Sequence, residues 1–158
     1  MSVPISFVEK KSIPSGVTML CGFPDVGLVG VLASSFLVSE LDLEEVAYVD
    51  SDLLPPIVVL HKGLPHSPIH VFGNNSLLVT IAETAVPAKG VQRLMRSFVD
   101  WTKSKRVKMM ISIGGIPVQN RQDLDKPEVF GTASSLDMIN FLEKHKLGVL
   151  KEGYMVGP

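Results

Sequence analysis

Gly22-Phe23-Pro24-Asp25-Val26-Gly27-Leu28-Val29-Gly30 follows the apolar run Val17 to Cys21 and leads into Leu28, Val31, Leu32, Leu37 and Leu41 at helical spacing. The run reads as a buried strand, and Leu28 to Glu40 as a helix whose small residues Gly30, Ala33, Ser34 and Ser35 allow close packing. A second stretch has the same character: Met109 to Ser112 runs into Ile113-Gly114-Gly115-Ile116-Pro117. Both glycine stretches read as turns at the C-terminal ends of buried parallel strands. In open α/β sheets that edge is where ligands and partners are met.

Working outward, Phe7 to Ser12 reads as a short edge strand and Val46 to Val49 as a further buried strand. Asp50-Ser51-Asp52 and Pro55-Pro56 break the pattern. Ile57 to His61 and Ile69 to Phe72 read as strands around Gly63 and Pro65. The turn Asn74-Asn75 leads into a strand from Leu77 to Ala82. Ala88 to Lys105 is the clearest helix, with Leu94, Phe98 and Trp101 on one face. Met109 to Ile113 is read as buried, Gln119 to Pro127 as a polar loop, and Glu128 to Phe130 as short and extended. Ser134 or Ser135 is placed to cap a helix from Leu136 to His145.

This order predicts a three-layer α/β/α sandwich with a mixed, largely parallel sheet. Val17 to Cys21, Val46 to Val49 and Met109 to Ile113 are expected as neighbouring parallel strands. Gly22 to Gly27, Asp50 and Gly114 to Pro117 would then share one edge. The 158 residues fit one domain. A new apolar approach from Leu147 to Met155 halts at Val156-Gly157-Pro158, which fits either a fold ending there or a chain shortened at its C-terminus.

Hydrophobic residues make up 46% and charged residues 20% of the chain, and the formal net charge is -1. No basic field invites nucleic acid or an anionic membrane. Lys103, Lys105, Arg106 and Lys108 read as a solvated helix end, where cations suit the dipole. The single cysteine, Cys21, lies in an apolar run and reads as a core residue in a reducing compartment. No basic segment precedes a long apolar one at the N-terminus, and no run has bilayer length. The expectation is a cytoplasmic protein.

The glycines Gly22, Gly27 and Gly30 do not have the spacing of a dinucleotide fingerprint, and no lysine follows as in a phosphate-binding loop. Backbone amides at the start of the Leu28 helix can still meet an anion. The same residues equally make a tight strand-to-helix turn, rigid at Pro24. Asp50 and Asp52 share one face of an extended chain, without a third carboxylate. Glu83 ends a strand where a catalytic carboxylate would sit, and also where one would hold a loop or cap the next helix. His61 and His70 can face each other across a hairpin. His66 falls in a Gly/Pro-rich turn, and zinc needs three or four convergent ligands, so no metal is assigned. No serine sits in Gly-x-Ser-x-Gly. The candidate ligand or partner edge is therefore Gly22, Phe23, Pro24, Asp25, Gly27, Gly30, Asp50, Glu83, Gly114, Gly115 and Pro117, with no catalytic residue and no cofactor assigned.

Taken together with the Val46 to Asp50 strand, Pro55-Pro56, Val129-Phe130-Gly131-Thr132-Ala133-Ser134 and Leu147-Gly148-Val149, the two glycine stretches resemble the proteasome assembly chaperone family. The likeness is to archaeal and bacterial homologues of its second-type subunit, and it spans nearly the whole chain. It implies a phosphorylase/hydrolase-like α/β/α fold, non-enzymatic protein binding, proteasome α subunits as partners, and homo-oligomers. Some archaeal relatives dock through a terminal hydrophobic-tyrosine-any-residue tail. Here Tyr154 is not penultimate, which departs from that pattern. Apolar Leu53, Leu54, Ile57 and Leu64 beside proline-rich turns fit a partner surface. Two functional readings stand: a protein-binding assembly factor, and a nucleotide- or small-molecule-binding enzyme using the glycine edge with Asp25, Asp50 and Glu83. The sequence leaves the question of enzymatic activity open.

Overall fold

The computed structural model describes residues 4–61, 63–119, 122 and 124–153. Residues up to Ile116 form one compact unit, and Pro117–Val156 form a second. In the first unit the strands are β1 (Ile5–Glu9), β2 (Thr18–Gly22), β3 (Glu44–Ser51), β4 (Val59–His61), β5 (Leu64–His66), β6 (Ile69–Gly73), β7 (Leu77–Ala82) and β8 (Met109–Ser112). Its helices are α1 (Val29–Glu40), entered through a single 3-10 turn at Val26–Leu28, and α2 (Ala88–Ser104).

Six strands build one mixed sheet in the order β1-β3-β6-β7-β2-β8. β2 runs parallel to β7 and β8, whereas β6 is antiparallel to both β3 and β7, and β1 is antiparallel to β3. Strands β2, β3, β7 and β8 therefore point one way, and β1 and β6 the other. The shared edge predicted for Gly22, Asp50 and Gly114 follows from these directions. The predicted adjacency holds for β2 and β8, which pair in parallel, but not for β3: β6 and β7 lie between β3 and β2. Apolar runs report a strand, not which strand lies beside it.

Alternation along the strands explains the three layers. Met19 and Cys21 of β2 and Leu78 and Ala82 of β7 join one apolar cluster with Leu94, Phe98 and Trp101 of α2. The intervening residues Leu20, Val79 and Ile81 point the other way and pack with Val31 and Val38 of α1. The buried Cys21 is a core residue, its thiol pushed up to about 12 by burial.

Three sequence expectations shift. The first strand is Ile5–Glu9 rather than Phe7 to Ser12, because Lys10 and Lys11 already turn outward to Glu45 and Glu44. Met109 to Ile113 was expected to be buried, but β8 is an edge strand among the described residues, with Met110 and Ile111 exposed. The Gly/Pro-rich segment near Pro65 is not only a turn: β5 pairs with β4 as an antiparallel hairpin.

The second unit holds β9 (Phe130–Gly131), α3 (Leu136–Lys144) and β10 (Gly148–Val149). β9 and β10 pair in parallel, and α3 packs on β10. Of the two candidate caps, Ser135 is the one used; its Oγ accepts the Met138 N–H at 3.4 Å.

The outer end of the main core is closed by a polar clasp. Phe7 stacks on Trp101 at 4.8 Å, and the Trp101 indole N–H donates to Glu9 Oε1 at 3.1 Å. Lys105 Nζ, just past α2, lies 2.6 Å from Glu9 Oε1 and 2.8 Å from Oε2. Burial acts to raise the Glu9 carboxyl, but the Lys105 and Trp101 hydrogen bonds and the Lys105 charge outweigh it and hold the group below its ordinary value. A lowered carboxyl stabilises the fold above the unfolded carboxyl range, and that contribution is lost as pH falls through the folded value. Glu9→Gln is expected to cost about 1 kcal/mol at neutral pH and far less in acid, once the carboxyl is protonated in both the folded and the unfolded state. Urea unfolding of both proteins at neutral and at acid pH checks this; an equal loss at both would assign Glu9 a packing role only.

Candidate functional site

The turn after β2 and the turn after β8 meet. The Asp25 carboxylate accepts the Gly115 N–H through Oδ2, while its backbone carbonyl accepts the Leu28 N–H at 3.1 Å. The glycines allow backbones to touch where a side chain would not fit. A β-carbon on Gly30 would run into the Ile113 carbonyl, and one on Gly115 into the Val26 carbonyl. A β-carbon on Gly22 would strike Ser34 and lie 2.7 Å from the Gly30 carbonyl oxygen. Gly114 leaves room for Asp25, whose Oδ2 would stand 2.8 Å from a β-carbon there. Gly27 takes φ 74°, a left-handed value that favours glycine, and Leu28 follows at φ 55°. Phe23 turns inward and packs edge-on against Phe98 at 5.7 Å. These contacts give Gly22, Gly30 and Gly115 a packing role in the turn. Pro24 is half-buried in the same turn, and Pro117 belongs to the second unit.

The three carboxylates of the enzyme reading have different surroundings. Asp25 is bound to Gly115. Asp50, at the end of β3 opposite Ser6, lines a cavity of about 320 Å³ together with Tyr48, Pro65 and His66. Glu83, beyond β7, lies 3.5 Å from His61 Nε2 and 3.6 Å from His70 Nε2. His66 is in β5, and the three histidine rings converge with centroids 5.5 to 6.0 Å apart. The sequence shows His61, His66 and His70 as a loose cluster, but not that Glu83 and Glu45, far away in the chain, join them.

A second feature is an apolar surface. Only Gly30 and Ser34 of α1 are buried. Leu28, Leu32 and Phe36 recur every fourth residue and form an outward stripe; Leu32 and Phe36 are each 63% exposed. Val26, Val29 and Leu41 extend it. A helix apolar all round is normally covered on all sides, and a contiguous exposed patch marks an interaction surface. The signal in the sequence is that Val29 to Ser39 contains no charged residue. Of the residues expected to form a patch, Ile57 and Leu64 are exposed, whereas Leu54 packs against the core and Leu53 lies against Gly90 of α2.

These features define a three-layer α/β domain that closes its glycine turns by packing and presents an apolar helix to its surroundings. The chain belongs to the PAC2 family, whose model matches residues 19–158. Pyrococcus furiosus PbaA, described as an archaeal homolog of proteasome-assembly chaperone, is similar at 30% identity and TM-score 0.89, over 98% of this chain and 63% of PbaA. Proteasome assembly chaperone 2 of Xenopus tropicalis is 26% identical over 96% of this chain and 60% of its own length. Pyrococcus furiosus PbaB, described as an archaeal proteasome activator, shares the fold at TM-score 0.79 and 19% identity, over 97% of this chain and 70% of PbaB. The chain thus spans about three-fifths of the curated relatives it matches. Among the described residues no helix is long and apolar enough to cross a membrane.

Close backbone packing at the glycine turn makes a direct prediction. Gly30→Ala is expected to destabilise the fold by about 2–3 kcal/mol, the cost of overpacking against a rigid carbonyl. Chemical denaturation checks it, and a loss within about 0.5 kcal/mol of zero would show that α1 does not approach the Ile113 carbonyl so closely.

Proposed function

We propose that this chain is a non-enzymatic, protein-binding assembly factor of the proteasome-assembly-chaperone type, acting in the cytoplasm as a homo-oligomer, with proteasome α subunits as its partners. The observation that carries the reading is the apolar stripe of α1 in a chain of the PAC2 family. The names of its relatives PbaA and proteasome assembly chaperone 2 support the choice of partner. Tyr154 to Pro158, the segment compared with a docking tail, lies outside the described residues, so the proposal rests on α1. Leu32 and Phe36 supply the kind of apolar anchor that carries interface energy once water is excluded. Close backbone packing accounts for Gly22, Gly30 and Gly115 without a bound nucleotide.

Under reducing conditions the protein is expected to retain proteasome α subunits at micromolar concentration. The double variant Leu32→Ser, Phe36→Ser should retain them at least tenfold more weakly with an unchanged circular dichroism spectrum. Absence of a complex with the unaltered protein would overturn the proposal. Full binding by the double variant would remove α1 as the contact. Light scattering at tens of micromolar should give a mass above the monomer; a stable monomer would contradict the homo-oligomer.

A further inference from the structure

The face of the sheet that α1 covers over β2 and β7 continues onto β6 and β3, where the β4–β5 hairpin brings histidines over it. His70 of β6 pairs with Tyr48 of β3 on one side and with Ile81 of β7 on the other. It is 1% exposed. Its Nδ1 lies 3.0 Å from Glu45 Oε1, and its Nε2 is buried without a hydrogen-bond partner. Buried imidazole nitrogens rarely stay unpaired, because the lost hydration is not recovered.

Glu45 reaches His70 through a β-bulge. The β3–β6 register shifts between Glu45 and Ala47: Glu45 pairs with Phe72, but Ala47 pairs with Val71. Phe72 and Val71 face opposite sides of the sheet, so Glu45 and Ala47 do too, although regular alternation would put both in the apolar core. A bulge of this kind re-aims one side chain at the expense of regular pairing. Both oxygens of Glu45 are committed: Oε1 to His70 and Oε2 to Lys10 Nζ at 2.5 Å.

We infer that His61, His70 and Glu83 form a binding site for a divalent transition-metal ion of the zinc type, with Glu45 as the positioning residue behind His70. His61 Nε2, His70 Nε2 and a Glu83 oxygen converge as one potential ligand set. The separations are 3.5 Å from His61 Nε2 to Glu83 Oε1 and 3.6 Å from His70 Nε2 to Glu83 Oε2. Ligands held about 2.0–2.1 Å from a tetrahedral ion stand about 3.3–3.4 Å apart; the three ligand atoms here lie within 4.8 Å of one another, so the ion would draw them inward. Two imidazoles and one carboxylate suit zinc and leave a fourth position for water. The Nδ1–H of His70 donates to Glu45, which fixes the tautomer and turns the Nε2 lone pair toward the ion. The other possible set, Glu45, His66 and His70, is disfavoured because the Glu45 oxygens and His70 Nδ1 are already bonded. His61 is half-exposed, which gives the ion a route in. Since His61 is on the hairpin while His70 and Glu83 are on the main sheet, the ion would fasten the hairpin to the sheet.

The test is titration of the metal-stripped full chain with Zn2+ by calorimetry, and with Co2+ by visible absorption. One ion per chain, at micromolar affinity or tighter, and the strong visible bands of tetrahedral Co2+ are expected. His61→Ala and Glu83→Gln, both at accessible side chains, should each weaken Zn2+ binding at least tenfold while keeping the circular dichroism spectrum. Glu45→Gln should weaken it about 10–100-fold without removing the Co2+ bands, since it touches no metal. Zn2+ should raise the unfolding temperature of the unaltered protein and not that of His61→Ala. No stoichiometric binding, or binding unchanged in both His61→Ala and Glu83→Gln, would overturn the site.

Discussion

The approach of α1 to the sheet sets what the rest of the first unit can do. Gly30 lies against the Ile113 carbonyl, Gly22 against Ser34, and Gly115 against the Val26 carbonyl. Such contacts demand a small face, so the inward side of α1 is Gly30 and Ser34. Val31 and Val38 flank that small face and pack on the sheet, while Leu32 and Phe36 lie on the opposite side of the helix and are exposed. Residues that in sequence resemble a ligand cradle thus sit opposite an exposed apolar surface on the same helix. That exposure keeps a large apolar area in water at roughly 25 cal/mol per Å², a standing cost that association would relieve.

Much of the fold was legible because strands buried on both faces leave continuous apolar runs, and amphipathic helices leave a period. Thr18–Gly22, Leu77–Ala82 and Ala88–Ser104 coincide with such signals within a residue or two. Strand order was legible only for the β2–β8 pair: β3 carries the same kind of run as β2 yet lies three positions from it. β5 was missed because Pro65 and the flanking glycine speak for a turn, and a three-residue strand has no periodicity to set against them. β8 was overburied in the sequence reading because apolar content does not distinguish a central strand from an edge.

The site was legible in part. The glycine turns do come together, since Asp25 reaches Gly115 across them. Whether glycines serve a ligand or a close backbone approach cannot be decided by spacing; it is decided by what a β-carbon would meet. The three histidines are near one another in sequence, but their union with Glu45 and Glu83 was hidden for a different reason. It joins residues from four strands and depends on one bulge, and a bulge inverts the facing of every residue before it without leaving a mark in composition.

Hydrogen exchange of the α1 peptide, residues 26–41, with and without proteasome α subunits tests most directly that this helix is held by its small face and offers its large one. Bound partner should slow exchange there by tenfold or more, while peptides of the already buried β2 and β7 change little. Unchanged exchange across α1 in a complex that demonstrably forms, with protection confined to other segments, would contradict the link between the glycine packing and the partner surface.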